Sequence, residues 1–158
     1  VTLELVPLAP GGDAGRLADE LAPAFAGDPA VPREILSQTF ALLKRDPRPH
    51  PWGCYLVRSG GVYVGTCAFK SAPDAEGTVE IAYSTFPAYE GCGIATRMAG
   101  ELTRIASDAG APLVIAHTLP EENASNRALR RNGFTFAGTT DDPEDGPVWR
   151  WEKRARLS

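Results

Sequence analysis

Thr78 to Phe86 (TVEIAYSTF) is dense in β-branched and aromatic residues and reads as a strand. Ile94 to Ala109 places Ile94, Met98, Leu102, Ile105 and Ala109 on one helical face, with Gly110 behind as a C-cap. The join between them, Pro87-Ala88-Tyr89-Glu90-Gly91-Cys92-Gly93-Ile94-Ala95, carries two glycines. A strand that runs through such a turn into a long amphipathic helix demands an α/β architecture, with the helix lying back across a sheet. It also sets the helix start, with its unpaired N–H groups and partial positive charge, beside a backbone that a ligand can approach closely. That combination is an anion site that needs no lysine. A P-loop is excluded, because Ile94-Ala95-Thr96 follows the last glycine where Lys and Ser/Thr are required. A dinucleotide fingerprint is excluded by the missing third glycine and by the antiparallel-looking strands upstream.

The remaining elements follow from periodicity and breakers. Thr2 to Leu8 is a first strand, and Asp13 caps a helix carrying Leu17, Leu21 and Phe25. Pro32 falls in the first turn of a second helix with a stripe of Ile35, Leu36, Phe40 and Leu43. Asp46 to Pro51 is a proline-rich loop. Trp52 to Arg58 and Val62 to Phe69 form a hairpin about Ser59-Gly60-Gly61, and Ser71 to Gly77 is a turn. Leu113 to Leu119 has the continuous apolar look of a strand buried on both faces. Ala124 to Asn132 is a short helix with Asn123 as N-cap. Phe134 to Thr139 and Val148 to Lys153 are the last strands, joined by the acidic loop Asp141 to Pro147. The prediction is one domain over residues 1–158: an α/β sandwich around a mixed, mostly antiparallel sheet of about seven strands, with about four helices.

A chain of 158 residues can hold a core without metal or disulfide. Its net charge of -4 argues against a general nucleic-acid binder. Cys54, Cys67 and Cys92 have neither zinc-ligand nor framework spacing, which points to no metal and to a reducing cytoplasm. No apolar run approaches the ~18 residues that span a membrane. Val1 to Pro10 lacks the basic start and apolar middle of a signal peptide.

Strand, Gly91-x-Gly93 and long helix resemble motif A of the GCN5-related acetyltransferases. Ala88 stands where that family usually has Gln or Arg, and Glu90 where it is often basic. A second element, Asn123-Ala124-Ser125-Asn126, then Leu129 and Gly133-Phe134, resembles the Asn…Ser…Gly-Phe element of the subgroup that modifies ribosomal-protein N-termini. Val148-Trp149-Arg150-Trp151 is similar to that subgroup's ending. The resemblance covers roughly Trp52 to Lys153.

It implies an N-acetyltransferase that moves acetyl from acetyl-coenzyme A directly to a primary amine, with no acyl-enzyme. The cosubstrate would lie on Gly91, Cys92 and Gly93, on the helix start at Ile94, Ala95 and Thr96, and on Asn123 and Asn126. Its pantetheine arm would pair with backbone groups of Ser84, Thr85 and Phe86. The family's tyrosine acid is missing, since Leu129 takes its place, and Ser125 matches the serine used by the subgroup. Glu80 stands where the family often carries a base. His117, at a strand end, is a second candidate base, because an imidazole's unperturbed pKa near 6.5 suits that task. Each has a plain structural alternative: a helix-start serine, a partner for arginine, a packed imidazole.

The acceptor that the resemblance implies would be an amine of a small molecule or a peptide N-terminus. The acidic run Asp141, Asp142, Glu144 and Asp145 would attract such a cation or simply be a solvated loop. Trp52, Tyr55, Tyr83 and Trp149 would line a pocket or fill the core. The sequence leaves homodimerisation open. A domain that binds coenzyme A without turnover is the alternative.

Overall fold

The computed structural model of the chain describes residues 2–155. Strand β1 (Leu3–Pro7) leads to helices α1 (Ala14–Leu21) and α2 (Ala30–Arg45), then to β2 (Cys54–Ser59), β3 (Val62–Phe69) and β4 (Val79–Thr85). Helix α3 (Ile94–Asp108), β5 (Leu113–Thr118), α4 (Ala124–Arg131), β6 (Thr135–Asp142) and β7 (Gly146–Arg154) follow, in the order the sequence predicts. The strands form one sheet ordered β1-β2-β3-β4-β5-β7-β6. Every neighbouring pair is antiparallel except β4 and β5.

Two boundaries differ from the sequence reading, and the start of α2, with Pro32 in its first turn as expected, is fixed more closely. Pro23 has no N–H to continue α1, so the chain turns into a 3-10 segment, Ala22–Phe25, that carries Phe25. Helix α2 starts at Ala30, whose N–H is bonded by Asp28 Oδ1 at 2.9 Å; Leu36, Phe40 and Leu43 are buried while Ile35 is 36% exposed. The loop predicted over Asp141 to Pro147 is mostly strand. Cross-strand pairing extends to Asp142↔Gly146, and Asp142 Oδ1 accepts the N–H groups of Glu144 (2.8 Å) and Asp145 (3.0 Å). Two backbone donors therefore do what a longer loop was expected to do. The Asp145 and Glu144 amides hold the Asp142 carboxyl below the usual carboxylate range.

The core lies on both faces of the sheet. On one, Val79, Ile81, Val114 and Trp151 pack under Met98 and Leu102 of α3. On the other, Leu56 and Phe86 pack against Leu36 and Phe40 of α2. Each such side chain contributes about 1.5–3 kcal/mol by leaving water. One buried polar chain crosses the first core. Trp151 Nε1 donates to Thr118 Oγ1 (3.1 Å), Thr118 donates to Asn126 Oδ1 (2.5 Å), and Asn126 Nδ2 donates to the Glu121 carbonyl. Because every member is satisfied, the chain fixes the β5–α4 connection without an unpaired buried group.

Candidate functional site

Strand β4 lies beside β5 over only two residue pairs, Val79↔Val114 and Glu80↔Ile115. Beyond them β4 stays with β3 as far as Thr85, β5 stays with β7 as far as Thr118, and the strands part. The backbone groups facing this opening follow from alternation. Lys70 N–H bonds Glu80 O and Phe86 N–H bonds Val64 O, so even-numbered residues of β4 turn their N–H and C=O toward β3. Ile81, Tyr83 and Thr85 turn theirs into the opening. This corrects the expected set: Thr85 is retained, Ser84 and Phe86 are spent on β3, and Tyr83 takes their place. The Phe86 side chain is buried and stacks on Phe25, with ring centroids 4.9 Å apart.

One end of the opening meets the glycine loop. Gly91 (φ 80°) and Gly93 (φ 77°) both adopt left-handed backbone, which only glycine takes cheaply. No side chain caps α3, and the first N–H to bond back is that of Arg97, to Gly93 O at 3.3 Å. The α3 start, with Gly91, Gly93, Ile94, Ala95 and Thr96, lines a cavity of about 440 Å³ whose other wall is α4. Cys92 is exposed and outside this lining.

Helix α4 supplies what the loop lacks. Ala124, Arg127 and Arg131 recur at three- and four-residue spacing and form the cavity's second wall with Ser125. The arginines face an uncapped helix start and offset the charge of Glu90 at the rim. Sequence reading missed them, although their spacing from Ala124 was the available signal. Replacing both by alanine is expected to raise the dissociation constant for coenzyme A about tenfold or more, with a flatter salt dependence. Calorimetry at two ionic strengths checks this.

Ser125 is half-buried at the cavity wall. Tyr83 reaches across from β4 and donates its hydroxyl to Ser125 O at 3.2 Å; burial raises the phenol's pKa, so it stays protonated. Asn123 caps α4 through the Asn126 N–H at 3.0 Å. Asn126, expected to touch the cosubstrate, is fully buried with its amide committed to Thr118 and Glu121. It shapes the site and does not line it. Leu129 lies in the core.

Glu80 and His117 lie on the other face of the sheet, away from α3. The structure brings them together, with His117 Nδ1 2.9 Å from Glu80 Oε2 and both side chains about one-fifth exposed. The β3–β4 rungs Thr66↔Ser84 and Ala68↔Ala82 continue this face away from Glu80. They floor a depression of about 180 Å³ that Leu8 and Thr39 wall on the α1–α2 side. Tyr83 and Ser84 line both cavities, which places the opening between them. Of the remaining aromatic candidates, Trp52 is core, Tyr55 is buried and also lines the smaller depression, and Trp149 packs edge-on against Phe136 at 5.6 Å.

A sheet parted beside an uncapped, glycine-led helix start is the frame of a protein that threads an anionic carrier between strands. Residues 2–135 match the acetyltransferase (GNAT) domain, and the chain belongs to that family. No curated protein matches the sequence. Among solved structures, RimL, a ribosomal alpha-N-protein acetyltransferase in complex with coenzyme A, is similar at 18% identity and TM-score 0.72, over 98% of this chain and 95% of that one. An acetyltransferase from Salmonella typhimurium that modifies the N-terminal serine of a ribosomal protein is similar at 18% and TM-score 0.72, over 99% and 96%. MccE, a self-immunity acetyltransferase in complex with acetyl-CoA and AMP, is similar at 18% and TM-score 0.70, over 96% and 92%. At these identities the likeness is one of fold.

Proposed function

We propose that this protein transfers the acetyl group of acetyl-coenzyme A to a primary amine. The observation that carries the reading is the opening between β4 and β5, with the uncapped start of α3 at one end and the Glu80–His117 pair on the far face. Pyrophosphate sits on the Gly91–Thr96 backbone, with Arg127 and Arg131 opposite. The pantetheine arm extends along the free N–H and C=O groups of Tyr83 and Thr85, and delivers the thioester to the side where the amine enters.

The amine arrives as a cation and must lose a proton before it attacks. Glu80 accepts a hydrogen bond from His117 Nδ1–H, leaving Nε2 with a lone pair to take the ammonium's proton, directly or through a water. The amine nitrogen then bonds to the acetyl carbon and the carbon–sulfur bond breaks; the nitrogen's surplus proton passes to Ser125 Oγ as that hydroxyl gives its own proton to the leaving thiolate, so the serine ends as it began. A preorganised donor there acts only as charge develops.

The acceptor depression is small and lined by uncharged side chains, and the Glu80–His117 pair on the same face of the sheet fits the amine of a small molecule or of a peptide N-terminus. We place the protein in a reducing cytoplasm, in keeping with its free Cys54, Cys67 and Cys92. No helix among the described residues is long and apolar enough to cross a membrane. The whole chain is read as one catalytic domain that works alone or as a homodimer, without nucleic acid. Calorimetric titration with acetyl-coenzyme A, with ATP as control, tests the binding half: micromolar binding absent for ATP is expected, and no binding ends the reading. The alternative, a coenzyme A-binding module without turnover, gives the same titration and no acetylated product from any amine by mass spectrometry.

A further inference from the structure

The Glu80–His117 pair has a third member. Lys70 Nζ lies 3.5 Å from Glu80 Oε2, the same oxygen that meets His117 Nδ1 at 2.9 Å. Lys70 stands just past the end of β3, where a backbone is free to fray. Here it is held from both sides. Its N–H bonds Glu80 O at 2.9 Å, and its carbonyl accepts from Arg48 Nη2 at 2.8 Å. Arg48 also donates to the carbonyls of Phe69 and, at 3.4 Å, Trp52, while Asp46 lies 3.2 Å from its guanidinium. The Arg48 side chain is only 1% exposed. A guanidinium so enclosed is costly unless its donors are filled. Arg48 fills them at the end of β3, and so fixes the root of a lysine whose own side chain is half exposed.

We propose that Lys70, anchored at its backbone by Arg48, is a positioning residue that shares the Glu80 carboxylate oxygen with His117 and so sets how readily His117 takes up a proton. Only the kinetic consequence rests on the acetyltransferase reading. Five charged groups face His117. Glu80 comes from β4 and Lys70 from the end of β3. Asp142 comes from the end of β6, where its carboxylate lies in the field of both Lys70 and His117. Arg150 is the cross-strand partner of His117 on β7, and it is matched by Glu152 at 3.2 Å. Lys70 is thus the cation that shares the Glu80 oxygen with His117. Without it, a protonated His117 meets less repulsion and has that oxygen to itself, so protonation persists to higher pH.

The chain has two histidines, His50 and His117, and His50 is exposed in the proline-rich loop. Their imidazole NMR signals can be titrated separately, with Lys70→Met and Lys70→Arg compared with the wild type and His117→Gln used for assignment. In Lys70→Met the His117 midpoint is expected to rise by about half a pH unit or more. In Lys70→Arg it returns toward the wild type, and His50 does not move. The acid limb of kcat/KM moves the same way in Lys70→Met, with the KM for acetyl-coenzyme A unchanged. An unmoved His117 midpoint in Lys70→Met, or an equal shift of both histidines, overturns the proposal. A shifted midpoint with an unmoved rate profile supports the positioning role and retires His117 as the base, so the two failures are told apart.

Discussion

Gly91→Glu is expected to weaken acetyl-coenzyme A binding by about a hundredfold or more while the protein stays folded. Two costs combine. Gly91 sits at φ 80°, where a side chain costs roughly 1–2 kcal/mol. The new carboxylate also joins Glu90 at the rim of the cavity meant for pyrophosphate. At an effective dielectric near 20, one added charge about 5 Å from a phosphate is worth roughly 3 kcal/mol of repulsion. The space around a Cβ at Gly91 is open, so nothing in the core has to move. Gly91→Ala carries the backbone cost without the charge and separates the two contributions. Calorimetric affinity for all three proteins, with melting temperatures as the folding control, checks the expectation. Unchanged affinity in Gly91→Glu removes the anion site from the glycine loop.

Ser125→Ala should lower kcat by about ten- to a hundredfold and move the KM for acetyl-coenzyme A by less than about twofold. The hydroxyl is asked to act only when sulfur gains charge, and a group of that kind appears in kcat and not in ground-state binding. The backbone of Ser125 is tied to Tyr83, and Asn123 caps the same helix turn, so removing one oxygen should leave the wall in place. The defect should shrink with an acyl donor whose leaving thiol is more acidic, because such a sulfur needs less help. Full activity in Ser125→Ala retires the serine as the acid.

Much of the fold was legible from local pattern. The strand–glycine–helix unit from Thr78 to Ala109 states its own structure, because each part is set by its periodicity and its breakers. The glycine turn proposed to hold the cosubstrate was legible for the same reason, since its backbone depends on glycines and a helix start that sequence displays directly. Asn126 and Phe86 were not legible in that way. Both stand beside residues that face the cavity, and both turn inward: Asn126 completes the Thr118–Trp151 chain, and Phe86 meets Phe25 across more than a third of the protein's length in sequence. Which side of a strand or helix a residue takes depends on the register of its neighbours, and that register is decided between elements.

Arg127 and Arg131 show the same division. Their spacing is local, but the fact that α4 turns them toward the start of α3 follows from packing and from Asn132 Nδ2 bonding Thr96 O at 2.8 Å. The sequence by itself determined the order of elements, the glycine turn into α3 and the kinds of group available for chemistry, because these depend on interactions within a few residues. Only the tertiary structure decided that β4 and β5 part after two residue pairs. It also decided that His117, 37 positions beyond Glu80, meets the same carboxylate oxygen as Lys70. The physical reason is that a contact between strands depends on how the sheet is ordered and twisted, and no single segment carries that information.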